Sequence, residues 1–295
     1  MSKISSQGTL LGKLANVNQG ILSGVDKVTQ KHLDKFPGLN LEKGEGVFVI
    51  DLNGYQLLKE DSKILKPWFK NSDVNRYHTS LNPKEFLIYA TRDLIIENYT
   101  AVYKHLLKYE EIIKARNSDR GEIQAALKEG KWWVIFAARK NIKFSSPKIV
   151  VPQRNYRNTF GYNETDWYAS GDVYFITINE SSKASISLKY ILALLNSKIY
   201  YLWLYHKGKR KGEMLELYQK PLSEIPIKVI SSVEQKPFIA LVNGILDEKA
   251  RYVTVDTSAL EREIDQLVYA LYGLTPEEIE IVENEIAIVE GRSEP

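Results

Sequence analysis

The segment Ile186-Ser-Leu-Lys-Tyr-Ile-Leu-Ala-Leu-Leu-Asn-Ser-Lys-Ile-Tyr-Tyr-Leu-Trp-Leu-Tyr205 is the most apolar part of the sequence. Its apolar side chains recur every three or four residues, at Leu188, Ile191, Leu192, Leu195, Ile199 and Leu202. This spacing predicts a helix from Ser187 to His206. The segment approaches the length of a membrane span, but Lys189, Asn196 and Lys198 lie inside it, where lipid would penalise them. We therefore expect a long helix in the core of a globular protein.

Short runs rich in aromatic and β-branched residues are typical of strands and occur on both sides of this helix. They lie at Val47–Leu52, Glu85–Tyr89, Trp132–Phe136, Lys148–Val151 and Val173–Ile178. A further helix is predicted at Tyr99–Lys114. Because strands and helices do not alternate regularly, the sequence predicts an α+β fold with a mixed or antiparallel sheet, and not a doubly wound one.

The chain is predicted to become helical after Pro226. Val233–Tyr252 and Ala259–Tyr272 have helical spacing, and Thr275, followed by Pro276 and Glu278, has the pattern of a capping box at the start of another helix. We therefore divide the chain into an α+β body, residues 1–230, and a C-terminal helical segment, residues 231–295, that packs on it.

Charge is distributed unevenly along the chain. The 295 residues carry a formal net charge of +3, but residues 256–295 contain eleven acids and two bases, so the remainder carries +12. Such a separation is typical of a body that binds a polyanion and bears an acidic appendage. An ordinary solvated surface explains it equally well at this point. The chain has no cysteine and no secretory signal at its first residues, so we expect a cytoplasmic location.

Two basic features stand out against this background. Between Gly130 and Asn163 there is no acid, and this stretch contains what we call the polar loop, residues 152–159. The second feature is what we call the basic run, residues 207–212, at the end of the apolar helix. Arginine and lysine neutralise phosphates, and arginine, asparagine and glutamine pair with base edges. The candidate DNA contacts are Gln153, Arg154, Asn155, Tyr156, Arg157, Asn158, Lys207, Lys209, Arg210 and Lys211.

Each feature also has a structural explanation. The polar loop has the composition of an ordinary surface loop, and basic residues with glycine commonly end helices. Half of the basic run is explained by capping, but four charges in five residues exceed what a cap needs.

Catalytic and metal-binding patterns are missing. The four histidines, His32, His78, His105 and His206, show no paired spacing for a metal and no triad arrangement. Gly44-Glu-Gly46 precedes a predicted strand and not a helix, so it lacks the geometry that holds a phosphate. We therefore expect no cofactor, metal or enzymatic centre in this chain.

The sequence resembles the TaqI-like C-terminal specificity domain, the target-recognition part of adenine-specific DNA methyltransferases and of fused type IIG restriction-modification enzymes. Seven segments carry the resemblance, in the family's order. They are Val17-Asn-Gln-Gly-Ile-Leu-Ser-Gly-Val-Asp-Lys27, Leu65-Lys-Pro-Trp-Phe-Lys-Asn-Ser-Asp-Val-Asn-Arg-Tyr77, Ser146-Pro-Lys-Ile-Val150, Tyr168-Ala-Ser-Gly-Asp-Val-Tyr-Phe-Ile176, Leu192-Ala-Leu-Leu-Asn-Ser-Lys198, Pro221-Leu-Ser-Glu-Ile-Pro-Ile227 and Ile264-Asp-Gln-Leu-Val-Tyr-Ala-Leu-Tyr-Gly-Leu-Thr-Pro-Glu-Glu-Ile279.

The resemblance implies a module that grips duplex DNA while a neighbouring catalytic domain receives the flipped adenine. The segment from Lys70 to Tyr77 is a third candidate for DNA contact, through Lys70 and Arg76. The family's asparagine-proline-proline-aromatic motif is absent, since Asn82-Pro-Lys-Glu85 is only superficially similar. The glycine-rich site for S-adenosylmethionine is absent too, so that cofactor is expected in a separate catalytic domain.

The expected partners are therefore double-stranded DNA and a methyltransferase or endonuclease domain, in cis or as another subunit, without a membrane. The chain would be either part of a longer enzyme or a free-standing specificity subunit. The alternative is a docking subunit of a restriction-modification complex, in which the acidic C-terminal helices bind a catalytic partner and DNA affinity is incidental.

Overall fold

The computed structural model describes residues 2–116, 121–182 and 185–293. The strands are β1 Thr9–Leu10, β2 Ala15–Gln19, β3 Val49–Asp51, β4 Leu65–Phe69, β5 Glu85–Ile88, β6 Lys148–Pro152, β7 Arg154–Asn155, β8 Gly161–Asn163, β9 Tyr168–Ala169, β10 Val173–Ile178, β11 Arg210–Lys211, β12 Met214–Glu216 and β13 Pro226–Ile227.

The α-helices are α1 Ser2–Gln7, α2 Leu11–Leu14, α3 Gln30–Lys35, α4 Leu52–Leu57, α5 Thr100–Leu107, α6 Glu110–Lys114, α7 Gly121–Lys128, α8 Leu188–Asn196, α9 Lys198–Lys207, α10 Gln219–Ser223, α11 Ser232–Arg251, α12 Ser258–Leu271 and α13 Pro276–Ser293. Short 3-10 helices lie at Lys59–Ile64, Asn71–Asp73 and Ile96–Asn98. The predicted α+β class is confirmed.

Two four-stranded sheets form the framework. The central sheet has the order β2-β10-β6-β8, and all of its pairs are antiparallel. The second sheet has the order β3-β5-β4-β9, in which β4 and β9 run parallel, so it is mixed. Two smaller sheets, β11-β12-β7 and β1-β13, complete the strand pairing of the described residues.

The central sheet separates two hydrophobic cores. Successive side chains of a strand point to opposite faces, and on β6 this sends Ile149 and Val151 into one core and Val150 into the other. The first core contains α8, α9 and buried residues of α11, α12 and α13, whereas the second contains residues of β3, β4 and β5. The C-terminal helices thus share a core with the central sheet. The division of the chain at residue 230 stays a prediction.

The predicted long core helix is buried as expected, but it is interrupted. Ser197 has an extended backbone with ψ 158°, which ends α8 and starts α9. The carboxylate of Asp265 accepts a hydrogen bond from the backbone N–H of Lys198 at 2.8 Å, and the Ser197 hydroxyl donates to the carbonyl of Leu194 at 2.7 Å. These side chains satisfy backbone groups at the break, so one predicted helix becomes two.

Two further predictions need correction, and one is confirmed. The helix predicted at Tyr99–Lys114 is divided into α5 and α6. Trp132–Phe136 is not a strand. The backbone N–H of Ile135 donates to the carbonyl of Ala90 and that of Phe136 to the carbonyl of Ser23, but these are isolated hydrogen bonds to two different segments and do not form a strand ladder. At the start of α13, Thr275 and Glu278 exchange the two hydrogen bonds of the predicted capping box, at 2.8 and 3.3 Å.

None of the helices among the described residues is long and apolar enough to cross a membrane.

Candidate nucleic-acid interface

The polar loop and the basic run meet in one small sheet, although 47 residues, 160–206, separate them in the sequence. β7 of the polar loop pairs with β12, and β12 pairs with β11 of the basic run. Leu215 lies at the centre, opposite Asn155 on one side and Arg210 on the other. The backbone N–H of Leu217 also donates to the carbonyl of Gln153 at 2.8 Å. The two segments proposed from the sequence therefore form one surface.

The basic run ends in a tight hairpin. Lys211 pairs with Met214, so only Gly212 and Glu213 form the turn between β11 and β12. Gly212 has φ +61°, the left-handed conformation that a two-residue hairpin turn with glycine at its first position requires. The turn makes β11 and β12 a short two-stranded ribbon, and Lys209, Arg210 and Lys211 are exposed on it.

The carboxylate of Glu216 forms an ion pair with one cation of the polar loop and one cation of the basic run. Its side chain is only 9% exposed, and Oε1 lies 3.1 Å from the guanidinium of Arg154 while Oε2 lies 3.5 Å from Nζ of Lys209. Burial raises the pKa of Glu216, but hydrogen bonds from these two cations outweigh it and hold the pKa below its usual range. Sequence analysis missed Glu216, because an acid beside a basic run gives no sign that it is buried.

Aromatic side chains support the same surface. The guanidinium of Arg210 lies 3.9 Å from the ring centre of Tyr205, and the Tyr205 hydroxyl donates to Glu213 at 2.7 Å. The Tyr201 hydroxyl donates to the backbone carbonyl of Tyr156 at 3.0 Å, which ties the polar loop to α9. These contacts fix the base of the surface, whereas Lys207, Lys209 and Arg157 remain exposed.

Two predicted contact residues lie instead in an internal polar network. Asn158 is 2% exposed, and its amide donates to the carbonyls of Leu195 and Ser197 at 2.7 and 3.0 Å. Arg76 donates to the Asn158 carbonyl at 3.0 Å and to Glu261 at 2.7 Å. Since these groups are already engaged inside the protein, we assign Asn158 and Arg76 a structural role.

Lys70 lies elsewhere, in the second sheet. Its Nζ is 2.6 Å from Glu85, which also binds Lys27 at 2.6 Å. The described contacts of Lys70 do not link it to the polar loop or the basic run, so the sequence-predicted set is not one continuous cluster.

One cation of the acid-free stretch is buried. Lys148 is fully buried, and its ammonium donates to Asn163 at 2.9 Å and to the Thr165 carbonyl at 2.8 Å. Burial lowers the pKa of Lys148 to about 8. This residue therefore stabilises the chain between β8 and β9 and adds no charge to the surface.

Within the described parts of the chain, no group of three or more histidine or acidic side chains is placed to hold a metal ion.

Residues 66–227, more than half of the chain, match the family model described as TaqI-like C-terminal specificity domain. Over 228 residues the chain is 26% identical to the type II methyltransferase M.HindII of Haemophilus influenzae, which covers 75% of this chain and 38% of that protein. Over 106 residues it is 35% identical to the type II methyltransferase M.HincII of the same species, which covers 34% of this chain and 21% of that protein. The chain thus spans well under half the length of these relatives.

The fold is similar to that of the type IIL restriction-modification enzyme MmeI, solved in complex with DNA. The TM-score is 0.62 at 13% identity, and the match covers 96% of this chain and 36% of that one. At this identity the likeness shows the fold alone, whereas the family match is direct and includes both the polar loop and the basic run. On that match, this chain belongs to the family of TaqI-like C-terminal specificity domains.

Proposed function

We propose that the chain recognises a DNA target sequence for a restriction-modification adenine methyltransferase. It binds the target duplex and presents it to a separate catalytic domain, which holds S-adenosylmethionine. One observation carries the proposal: two basic segments distant in sequence join in one exposed sheet, with the buried carboxylate of Glu216 holding Arg154 and Lys209 in place.

The shape of this surface suits a duplex. The major groove admits a two-stranded β-ribbon, and the β11-β12 hairpin is such a ribbon with exposed cations. Lysines of the basic run and the two arginines of the polar loop neutralise phosphates, which supplies affinity, while Gln153 and Asn155 on the polar loop are of the types that pair with base edges.

The experiment measures binding of the wild-type chain to a fluorescent 30-base-pair duplex with a randomised centre, over a series of salt concentrations. Changing Arg154→Ala together with Arg157→Ala removes two positive charges from the surface. If both contact phosphates, the slope of log K against log salt falls in magnitude by about 1.8, from roughly 0.9 per phosphate.

The matched control removes two charges elsewhere. Lys13 lies on α2, before the opposite end of β2, and Lys236 is exposed on α11. Lys13→Ala with Lys236→Ala should leave the slope unchanged. An Arg154/Arg157 variant that behaves like this control overturns the role of the polar loop, and a wild type that binds no duplex overturns the proposed function.

The catalytic part of the proposal has its own test. The chain is incubated with S-adenosylmethionine carrying a labelled methyl group and with the duplex it binds. We expect no label in the DNA until a catalytic domain is added. Label transfer by the chain alone contradicts the assignment as a non-catalytic module.

A second candidate function, docking of a catalytic partner, is favoured by one face of α13. Ile281 and Ile288, two helical turns apart, are both exposed, and Glu277 and Glu280 lie on the same side. The variant Ile281→Ser with Ile288→Ser should weaken association with a type II methyltransferase catalytic domain supplied in trans. The salt dependence of duplex binding should not change, and unchanged association contradicts docking through this face.

A further inference from the structure

The end of the central sheet from which the polar loop leaves carries another polar segment, residues 139–141. The ends of β2, β10 and β6 lie side by side here, because Gln19 pairs with Tyr174 and Val173 pairs with Pro152. Neighbouring strands are about 4.8 Å apart, so β2 and the start of the polar loop are separated by roughly 10 Å. The polar surface therefore continues across the strand ends.

Arg139 anchors this segment to the end of β2. Its Nε donates to the Gly20 carbonyl at 3.1 Å, and its Nη2 donates to the Gln19 side chain at 2.8 Å. The Gln19 amide in turn donates to the Gly171 carbonyl at 2.8 Å. One residue further along, the carbonyl of Asp172 accepts the backbone N–H of Gln153 at 2.7 Å. A chain of hydrogen bonds thus connects the segment to the polar loop.

The backbone of Arg139 is unusual. Its φ is +57°, in the left-handed region that residues other than glycine rarely occupy. Such a conformation persists only where its surroundings hold it, and it is common where a chain is shaped for binding. Here it precedes Lys140 and Asn141, both of which are exposed.

The two side chains after Arg139, those of Lys140 and Asn141, are polar and exposed, whereas Ile142 is buried. Asn141 donates to the Asn18 side chain at 3.1 Å, so two amides stand together at the end of the sheet. Lys140 lies 2.6 Å from Asp93, in an ion pair whose members are both well exposed. Exposed pairs contribute little stability, so Lys140 can exchange its carboxylate partner for a phosphate. Lys143 lies 4.0 Å from Glu180, which follows the opposite end of β10, so it does not belong to this end of the sheet.

We infer that Lys140 and Asn141 form a second contact strip for the duplex that the chain is proposed to bind. Lys140 binds a phosphate, and Asn141, paired with Asn18, faces a base edge of the kind that asparagine recognises, an adenine. The end of β2, which the strip contacts, is roughly 10 Å from the start of the polar loop, close to the major-groove width of about 12 Å. With the hairpin in the groove, the strip reaches its border. This inference rests on the proposed function.

The first test changes Lys140→Ala and measures binding of the same randomised duplex against salt. The salt slope should fall in magnitude by about 0.9, as for one lost phosphate contact. The control is Lys13→Ala, which removes the same charge. A slope equal to that of the control overturns the phosphate role of the strip.

The second test separates base reading from charge. Wild type and Asn141→Ala are each used to select bound sequences from a pool of randomised duplexes. Asn141→Ala should relax the preference at one or two adjacent positions and leave the salt slope unchanged. An unaltered preference overturns the base contact.

The two proposals fail differently. If the wild type binds no duplex, the proposed function is overturned. If the wild type binds and the Arg154/Arg157 variant is impaired, but neither strip variant differs from the control, only the second contact strip is overturned.

Discussion

Two arginine–glutamate pairs of this molecule have similar geometry and opposite surroundings. Arg76 lies 2.7 Å from Glu261, and both side chains are 25% exposed. Arg154 lies 3.1 Å from Glu216, but here the arginine is 45% exposed and the glutamate only 9%. In the first pair both members are half-buried, and the other contacts of the arginine lie inside the protein, so we call it the inward-facing pair. In the second, the acid is hidden and the arginine is presented to solvent.

The difference shows how one kind of ion pair can serve packing or binding. The guanidinium of Arg76 also donates to the carbonyls of Asn158 and Asn196, at 3.0 and 2.8 Å. With its bond to Glu261, it connects three segments that are distant in the sequence. Arg154 has a supporting acid on one side and open solvent on the other. An arginine that can reach a ligand is therefore one whose partner is buried more deeply than itself.

The largest effect is expected from Arg76→Ala, which tests the inward-facing pair. It leaves Glu261 without its partner and the carbonyls of the buried residues Asn158 and Asn196 without a donor. Unfolding free energy should therefore fall by about 2–4 kcal/mol, at about 1–3 kcal/mol for each buried group left unsatisfied. Urea denaturation followed by circular dichroism measures it. Arg76→Lys is the matched variant, since it keeps the charge and loses the forked geometry. A loss below about 1 kcal/mol, typical of surface pairs, would remove the distinction between the two arginines.

An intermediate effect is expected from Asp265, which lies beside the inward-facing pair. Burial raises its pKa to about 6, against the opposing influence of the N–H and charge of Lys198 and the charge of Arg76. The folded protein therefore binds the proton more tightly than the unfolded chain, whose aspartate has a pKa of about 3.9. Stability should fall as pH rises from about 4 to about 6, by about 2–3 kcal/mol at 1.36 kcal/mol per pKa unit.

The matched variant for this prediction is Asp265→Asn, whose side-chain oxygen can still accept from Lys198. It should be more stable than wild type at pH 7, and the difference should vanish near pH 4. Urea denaturation at a series of pH values measures this difference, in which titration of other groups cancels. A constant difference across the range contradicts a raised pKa at this position.

The smallest effect on stability is expected from Arg154→Ala. Because the arginine is largely exposed and Glu216 keeps Lys209 and the Tyr218 hydroxyl nearby, the loss should not exceed about 1 kcal/mol. Duplex affinity should fall in the same variant, so Arg154→Ala weakens binding with little loss of stability. The main effect of Arg76→Ala, by contrast, is a loss of stability. Equal destabilisation by both variants would show that the outward-facing pair is structural as well.

The elements that follow from local pattern were predictable, and those that depend on distant partners were not. The apolar spacing in α8 and α9 is a local property, and it located the stretch that the two helices occupy, although as one continuous helix. The break between them depends on Asp265, which is 67 residues away from Lys198. Likewise, Trp132 and Trp133 have high strand propensity, but tertiary contacts decide how their backbone is bonded.

The candidate surface shows the same limit. Composition indicated the polar loop and the basic run, but nothing in either indicates that Glu216 pairs with both. Asn155 and Asn158 are equivalent as sequence, yet one lies on a strand of the surface and the other is buried behind it. Only the fold decides which polar side chain of a loop satisfies the interior.

The placement of the central sheet between two cores has a consequence for how such a module can change over time. Neighbouring residues of β6 pack into opposite cores, so the central sheet is held in place from both of its faces. The loops at its end carry little of that packing. New side chains there can redirect the choice of bases while the support stays intact, which lets one scaffold acquire many specificities.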